Sequence, residues 1–214
     1  MKEVITIDGP SGSGKGTVSK VLAEKLGYRY LDTGALYRAV AWKIRKERID
    51  VDDEEALKKV LSSINIELNN NNITVDNQDV TGEIRTAEIG ELSSMASAIP
   101  LVREALFSMQ REMCLQGKVV IEGRDTGTTI FQESENKFYL DASAEERARR
   151  RYEELKTNDP SATLEKTIED IEKRDLRDSS RENSPLTRSD AMTYIDSTDL
   201  SIDEVVKVIL KSIK

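Results

Sequence analysis

Val4-Ile5-Thr6-Ile7-Asp8-Gly9-Pro10-Ser11-Gly12-Ser13-Gly14-Lys15-Gly16-Thr17 stands at the head of the chain and carries three signals in succession. Val4 to Ile7 is a short, largely β-branched run that reads as a strand. Gly9 to Thr17 is a glycine-rich turn. From Thr17 onward, Val18, Val21, Leu22 and Leu26 recur at helical spacing. A turn between strand and helix is where a phosphate cradle must lie. Its glycines let backbone amides converge on an anion, and the helix N-terminus adds its dipole. Lys15 is in register to reach the β and γ phosphates of a nucleotide. One departure is informative: Gly16, not Ser or Thr, follows Lys15, so the hydroxyl that usually ligates Mg²⁺ is missing. Thr17 is better placed for an α-phosphate. Mg²⁺ is then expected to be held mainly by the nucleotide and water, with at most a carboxylate from the protein and no metal-ligand set of its own.

Outward from this stretch the pattern continues. Gly27 stops the helix, Tyr28-Arg29-Tyr30-Leu31 is a second short strand, and Ala35 to Arg45 is helical again. Strand, turn, helix, strand, helix opens a parallel α/β sheet, so the predicted fold is a P-loop α/β/α sandwich with a parallel core. Ile64-Asn65-Ile66-Glu67-Leu68 then alternates strictly, Asn69 to Asn72 make a turn, Ile73-Thr74-Val75 alternates, and Asp76-Asn77 turns into Gln78-Asp79-Val80. That is a small antiparallel meander, foreign to a parallel core. About residues 62–95 are expected to form an insertion, leaving 1–61 and 96–214 as the core. Two helices broken at Pro100 follow, the second ended by Gly117. Lys118 to Ile121 and Lys137 to Leu140 read as buried strands. Ser143-Ala144-Glu145-Glu146 reads as a capping box opening an Arg-rich helix. Residues 157–190, polar with few large apolar side chains, are expected to be an exposed, mobile lid. Thr193 to Asp196 is the last strand and Ile202 to Ile213 the closing helix.

Composition narrows the chemistry. In 214 residues there is no histidine and one cysteine, Cys114. Cys/His zinc sites, disulfide scaffolds and Ser-His or Cys-His nucleophiles therefore have no material here. Carboxylates, Lys, Arg, hydroxyls and backbone amides must do the work. The 32 basic against 40 acidic residues leave a net charge of −8, a surface that repels nucleic acid and anionic membrane. No apolar run reaches the roughly 20 residues that span a bilayer, and the charged N-terminus does not read as a signal peptide. Cys114 lies in an apolar helical pattern with Val102, Leu106 and Met109, so a buried structural thiol in a reducing cytoplasm is expected.

In an acidic chain, the placement of arginine matters. Arg38 lies in Asp32-Thr33-Gly34-Ala35-Leu36-Tyr37-Arg38 after the second strand, and Arg124 in Glu122-Gly123-Arg124-Asp125 after the third core strand. Ligands of parallel sheets bind at such strand ends. Arg174, Asp178 and Arg181 are spaced to share one helix face. Collectively these cations suit phosphates. The helix with Arg147, Arg149, Arg150 and Arg151 can instead pair with its own Glu145, Glu146, Glu153 and Glu154, and both readings stay open.

The Gly-Lys-Gly-Thr loop resembles that of nucleoside monophosphate kinases. Across nearly the whole chain the sequence resembles the bacterial cytidylate kinases. The blocks are Ile7-Asp8-Gly9-Pro10-Ser11-Gly12, Asp32-Thr33-Gly34-Ala35-Leu36-Tyr37-Arg38, Ile84-Arg85-Thr86, Pro100-Leu101-Val102-Arg103, Gly123-Arg124-Asp125, Phe138 to Ser143, Arg174-Asp175, Ser184-Pro185-Leu186 and Ile195-Asp196. The resemblance implies that Thr33, Tyr37, Arg38 and Arg124 hold the acceptor nucleotide, with Arg38 and Arg124 on its phosphate. It implies Ser94, Arg103 and Asp125 around the cytosine, Arg174 and Asp178 at the ribose, and Arg181 at the transferring phosphate. Thr126 and Gln132 depart from the family pattern, which commonly has an aliphatic residue and a proline there.

The expected activity is transfer of the γ-phosphoryl group of Mg·ATP to CMP and dCMP by a soluble monomer that binds neither nucleic acid nor membrane. Lys15, Arg124 and Arg181 are the expected catalytic cations. The acceptor is a phosphate oxygen already anionic at neutral pH, so alignment and charge neutralisation suffice, and a chain without histidine can supply both. The alternatives are another nucleoside monophosphate kinase, acting on UMP or AMP, and a non-kinase P-loop module.

Overall fold

A computed structural model of the chain describes residues 3–69, 72–156 and 162–214. In chain order the elements are β1 (Val4–Asp8), α1 (Lys15–Leu26), β2 (Arg29–Asp32), α2 (Thr33–Glu47), α3 (Glu54–Ser63), β3 (Ile66–Asn69), β4 (Asn72–Val75), β5 (Gln78–Asp79), α4 (Ala87–Ala96), α5 (Pro100–Met113), β6 (Val119–Gly123), β7 (Asn136–Asp141), α6 (Ala144–Lys156), α7 (Leu164–Ser180), β8 (Thr193–Asp196) and α8 (Ile202–Ser212). A π-helical turn, Thr126–Ile130, follows β6. The chain divides into two compact units, one of Met1–Tyr30 with Gly117–Lys214 and one of Leu31–Gln116.

The first unit is built on a five-stranded sheet in the order β2-β6-β1-β7-β8. β1 runs parallel to β6 on one side and to β7 on the other, and β7 parallel to β8. Every residue of β1 and β6 is buried, as central strands covered on both faces must be. Ile5, Ile7, Val18, Leu22, Val120, Phe138, Leu140, Ile195, Val205, Val206 and Ile209 form its core. The central position of β1 puts its carboxyl end, and the glycine loop that follows, among the ends of β6 and β7. α1 starts at Gly14 (φ 85°) with no side-chain cap, which leaves its first amides to an anion.

The second unit folds around α2, with Leu36, Ala39, Val40, Leu57, Val75, Ile84, Ile89, Val102 and Leu106 in its core. The predicted meander is present as β3-β4-β5, antiparallel, pairing Ile66 with Val75 and Leu68 with Ile73. Its second turn has Asp76 and Asn77 at φ 49° and 66°, the left-handed pair a two-residue hairpin requires. Of the first turn, Asn70 and Asn71 lie outside the described residues. Pro100 begins α5, where its missing N–H costs nothing, and Cys114 closes that helix as a buried thiol.

Three local readings change. α3 is absent from the sequence reading, although Asp53 caps it, its carboxylate accepting from the Ala56 amide at 3.0 Å. The box at Ser143 is only half made. The Ser143 hydroxyl accepts from the Glu146 amide (3.3 Å), but the Glu146 carboxylate is drawn off by Arg149 and Arg150, and the Ser143 amide donates to Thr198 Oγ1. The reciprocal box forms instead at Ser201 and Glu204 of α8. Within 157–190, where a lid was expected, residues 157–161 lie outside the described residues. α7 follows with a narrow inward stripe of Thr167, Ile171 and Asp178, mostly polar and therefore unlike an ordinary amphipathic helix. Arg181 stands one residue beyond α7 with extended backbone, off the helix face on which spacing had put it.

Candidate active site

The phosphate loop is packed so tightly that its glycines are obligatory. A Cβ on Gly9 would lie 2.0 Å from the Leu140 carbonyl oxygen, and one on Gly12 (φ 77°) 2.5 Å from that of Arg147. The Lys15 ammonium donates to the Pro10 carbonyl at 2.9 Å, curling over its own loop. Ser13 Oγ is buried there without a hydrogen-bond partner. Burial lowers the Lys15 pKa to about 7; Arg124 and Arg174 add to the shift, against Glu122 and Asp178. The orphaned hydroxyl, the uncapped helix amides and the buried cation are a donor set matched to polyphosphate. Gly16 has its own reason. A Cβ there would come within 2.9 Å of Glu122 Oε1, the oxygen that accepts the Tyr30 hydroxyl at 2.6 Å. The space of the missing hydroxyl is thus taken by a carboxylate, oriented by a tyrosine.

Beside the loop stands a cluster of buried charges. Arg124 Nε donates to Asp178 Oδ2 at 2.8 Å, and Arg174 and Arg181 each approach that carboxylate at 3.9 Å. Arg181 also donates to Asp125 Oδ1 at 3.4 Å. Burial pushes the Asp178 carboxyl up, but Arg124, Arg174 and Arg181 outweigh it and hold its pKa below the ordinary 3.8. The first unit therefore brings together Lys15, Arg124, Asp125, Arg174, Asp178 and Arg181, an excess of cations suited to phosphate groups.

Four further side chains hold this arrangement: Asp175 and Asp8, to which the sequence reading gave no role, and Arg147 and Arg150, which it left open. Asp175 accepts from the Ser11 amide at 3.3 Å and pairs with Arg147, which in turn donates to the Ser11 and Ala142 carbonyls at 3.0 and 3.1 Å. Arg150 donates to the carbonyls of Ser13 (3.3 Å) and Ser197 (2.7 Å). The ambiguous Arg-rich helix thus resolves by position: Arg147 and Arg150 grip the loop, while Arg149 and Arg151 pair with Glu146 and Glu154 of their own helix. The fourth is Asp8, a buried carboxylate at the end of β1. It accepts from the Thr126 amide (2.9 Å), the Thr126 hydroxyl (2.7 Å) and the Gly127 amide (2.8 Å). A charged residue closing a short β-branched strand was the available signal for it.

The remaining candidates belong to the second unit. Thr33 is buried at the head of α2, whose cap is Asp32, accepting from the Ala35 amide at 2.9 Å. Tyr37 and Arg38 lie one turn further on. Arg103 is buried on α5, its guanidinium 5.9 Å from the Tyr37 ring centre and donating to the Ser97 carbonyl at 3.2 Å. Ser97 is tied to Ser94 by a hydroxyl-to-carbonyl bond of 2.8 Å. Tyr37, Ser94 and Arg103 are one connected group, and a buried guanidinium beside an aromatic face is no solvated surface charge.

A family model described as cytidylate kinase matches residues 5–214. A cytidylate kinase of Geobacter sp. strain M21 is 45% identical to this chain over 99% of it and 92% of its own length. That of Caldanaerobacter subterraneus subsp. tengcongensis is 45% identical over 98% and 94%. Among solved structures, shikimate kinase from Bacteroides thetaiotaomicron superposes with a TM-score of 0.52 at 15% identity, covering 98% of this chain and 97% of that one. An uncharacterized protein from Eubacterium ventriosum gives 0.55 at 16% identity. The two structural likenesses speak for the fold alone.

Proposed function

The chain belongs to the cytidylate kinase family, and from that premise we propose that it transfers the γ-phosphoryl group of ATP to CMP and dCMP. The observation that carries the reading is the gathering of Arg124, Arg174 and Arg181 beside a P-loop lysine in a chain of net charge −8. An ATP-hydrolysing module has no need of a second phosphate-binding set.

Chemistry follows from the groups. The loop amides, Ser13 and Lys15 receive the ATP phosphates, whose charge restores the positive form of Lys15. Arg124, with Arg38, takes the acceptor phosphate; Arg181 neutralises charge on the group in transit. The acceptor oxygen is already anionic, so no base is called for, and in-line transfer through a loose transition state rests on alignment. Arg103, Ser94 and Asp125 read the cytosine, Arg174 and Asp178 the ribose, and Thr33 and Tyr37 complete the acceptor site. Glu122, over Gly16, is the protein carboxylate that would help hold a Mg²⁺ ion, which when bound would supply charge neutralisation to the phosphates. Residues 157–190 act as a lid that excludes water during transfer. In this reading the enzyme is a cytoplasmic monomer.

A panel of CMP, dCMP, UMP and AMP, each with ATP and Mg²⁺ and followed by ADP release, tests the reading. CMP and dCMP should exceed UMP and AMP at least a hundredfold in kcat/KM. Equal use of UMP or AMP would make the enzyme a different monophosphate kinase, and ADP release without acceptor would remove the kinase assignment altogether.

A further inference from the structure

Asp8 is a buried charge for which the reaction as described has no use. It ends β1, immediately before the loop that receives ATP, and its three acceptor bonds all go to the first two residues after Asp125. One oxygen takes the amide and hydroxyl of Thr126 and the other the amide of Gly127, so each oxygen faces at least one N–H donor. Those two residues start the π-helical turn, whose later amides return to the Asp125 carbonyl at 2.8 Å (Thr129) and 3.2 Å (Ile130). The turn cannot tilt without carrying Arg124 and Asp125 with it.

We propose that Asp8 is a positioning residue for the acceptor: as a carboxylate it fixes the Thr126–Gly127 segment, and through it the set of Arg124 and Asp125, to the strand that carries the phosphate loop. This rests on the reading that Arg124 and Asp125 serve the acceptor. Only the ionised form can do it. A protonated carboxyl would turn one oxygen into a donor facing N–H groups that have nothing to offer it. The Thr126 hydroxyl adds a side-chain donor to the two amides, and it favours the carboxylate form. Burial raises the Asp8 pKa to about 6, against the pull of Gly127 and Thr126, with Asp125 pushing the same way as burial. The other charged or titratable groups on the strands around it are Glu122 on β6 and Lys137, Tyr139 and Asp141 on β7, with Lys15 at the start of α1 and Lys20, Glu24 and Lys25 further along it. Tyr139 is its partner across the sheet.

The test has a substrate-free arm and a kinetic arm. In the free, ¹⁵N-labelled enzyme, the Thr126 and Gly127 amides should titrate with one common midpoint well above that of an ordinary aspartate. That titration should vanish in Asp8→Asn. Thr126→Val should raise the midpoint by at least half a pH unit, and Thr126→Ser, which keeps the hydroxyl, should restore it. In turnover, the acid limb of kcat/KM for CMP should move with Thr126→Val in the same direction; CMP and ATP titrate identically in every variant, so the difference belongs to the protein. Asp8→Asn should lower kcat/KM for CMP at least tenfold while the KM for ATP changes less than threefold. Flat amide titrations, or an acid limb that ignores Thr126→Val, would overturn the proposal. A wild-type enzyme that does not use CMP overturns the functional reading instead, and leaves the amide titration to be judged by itself.

Discussion

Two regions of the first unit, both assigned to phosphate in the proposed function, are built by different means. The loop from Gly9 to Thr17 is made of main chain: its shape comes from glycines pressed against the carbonyls of Leu140 and Arg147, and its one charged side chain is Lys15. The cluster of Arg124, Arg174, Asp178 and Arg181 is made of side chains, drawn from β6's end, α7 and the residue after it. A main-chain site is stiff and indifferent to what lies beyond the phosphates. A side-chain site keeps cations poised only because a counter-charge, Asp178, stands among them, so its geometry and its stability are bound together.

Lys15→Met should separate the two most sharply. It keeps a stem of similar length and removes the charge, so turnover should fall at least ~1,000-fold, about 4 kcal/mol in the barrier. The folded state should not suffer, because a buried ammonium with a lowered pKa is costly to keep. Steady-state kinetics with urea unfolding checks both halves; near-normal turnover from a folded variant would end the assignment of the loop.

Asp178→Ala attacks the other region and should do the reverse. With three arginines left facing one another, unfolding stability should fall by about 3 kcal/mol. The KM for CMP should rise on the order of a hundredfold and that for ATP far less, since the loop is independently built. Equal effects on both nucleotides would mean that Asp178 chiefly packs α7. The pH dependence has a definite sign: the folded pKa lies below 3.8, so the contribution of Asp178 is present above that value and lost as pH falls through the folded one. The difference in stability between wild type and variant should therefore shrink in acid.

Gly12→Ala is the loop's counterpart. A methyl group 2.5 Å from the Arg147 carbonyl at φ 77° should cost about 1–2 kcal/mol and raise the KM for ATP roughly tenfold, leaving CMP nearly untouched. Arg103→Met should alter choice rather than power, reducing the preference for CMP over UMP about tenfold with ATP binding unchanged. Smallest of all, Arg149→Ala should leave kinetics within twofold and stability within about 0.5 kcal/mol, since Arg149 is itself exposed and pairs with Glu146 of its own helix. A large effect there would blur the distinction between the arginines that grip the loop and those that do not.

The same contrast explains what could be read in advance. β1, the glycine loop and α1 are local: β-branching, glycine and helical periodicity each impose a conformation within a few residues. The meander was legible because alternation and paired turn residues are local too. The arginine set became specific only through family resemblance, since nothing near Arg124 in sequence announces that Asp178 will neutralise it. Asp175 is harder still, because its partner Ser11 lies at the other end of the chain. The capping box at Ser143 looked right and was half wrong for a physical reason. Glu146 had two arginines within reach, and a charge-assisted pair outcompetes a reciprocal amide bond.

The chain's lack of histidine has one more consequence. Between about pH 6.5 and 7.5 few protein groups ordinarily titrate without it, so Lys15, near 7, stands out against a quiet background. When polyphosphate raises the pKa of that ammonium, the enzyme must draw a fraction of a proton from its surroundings. The heat of ATP binding should then depend on the ionisation enthalpy of the buffer, being less exothermic in Tris than in phosphate. Lys15→Met removes that component and leaves only protons contributed by the nucleotide. Proton uptake becomes a direct counter of lysine engagement, obtained without a label and without turnover.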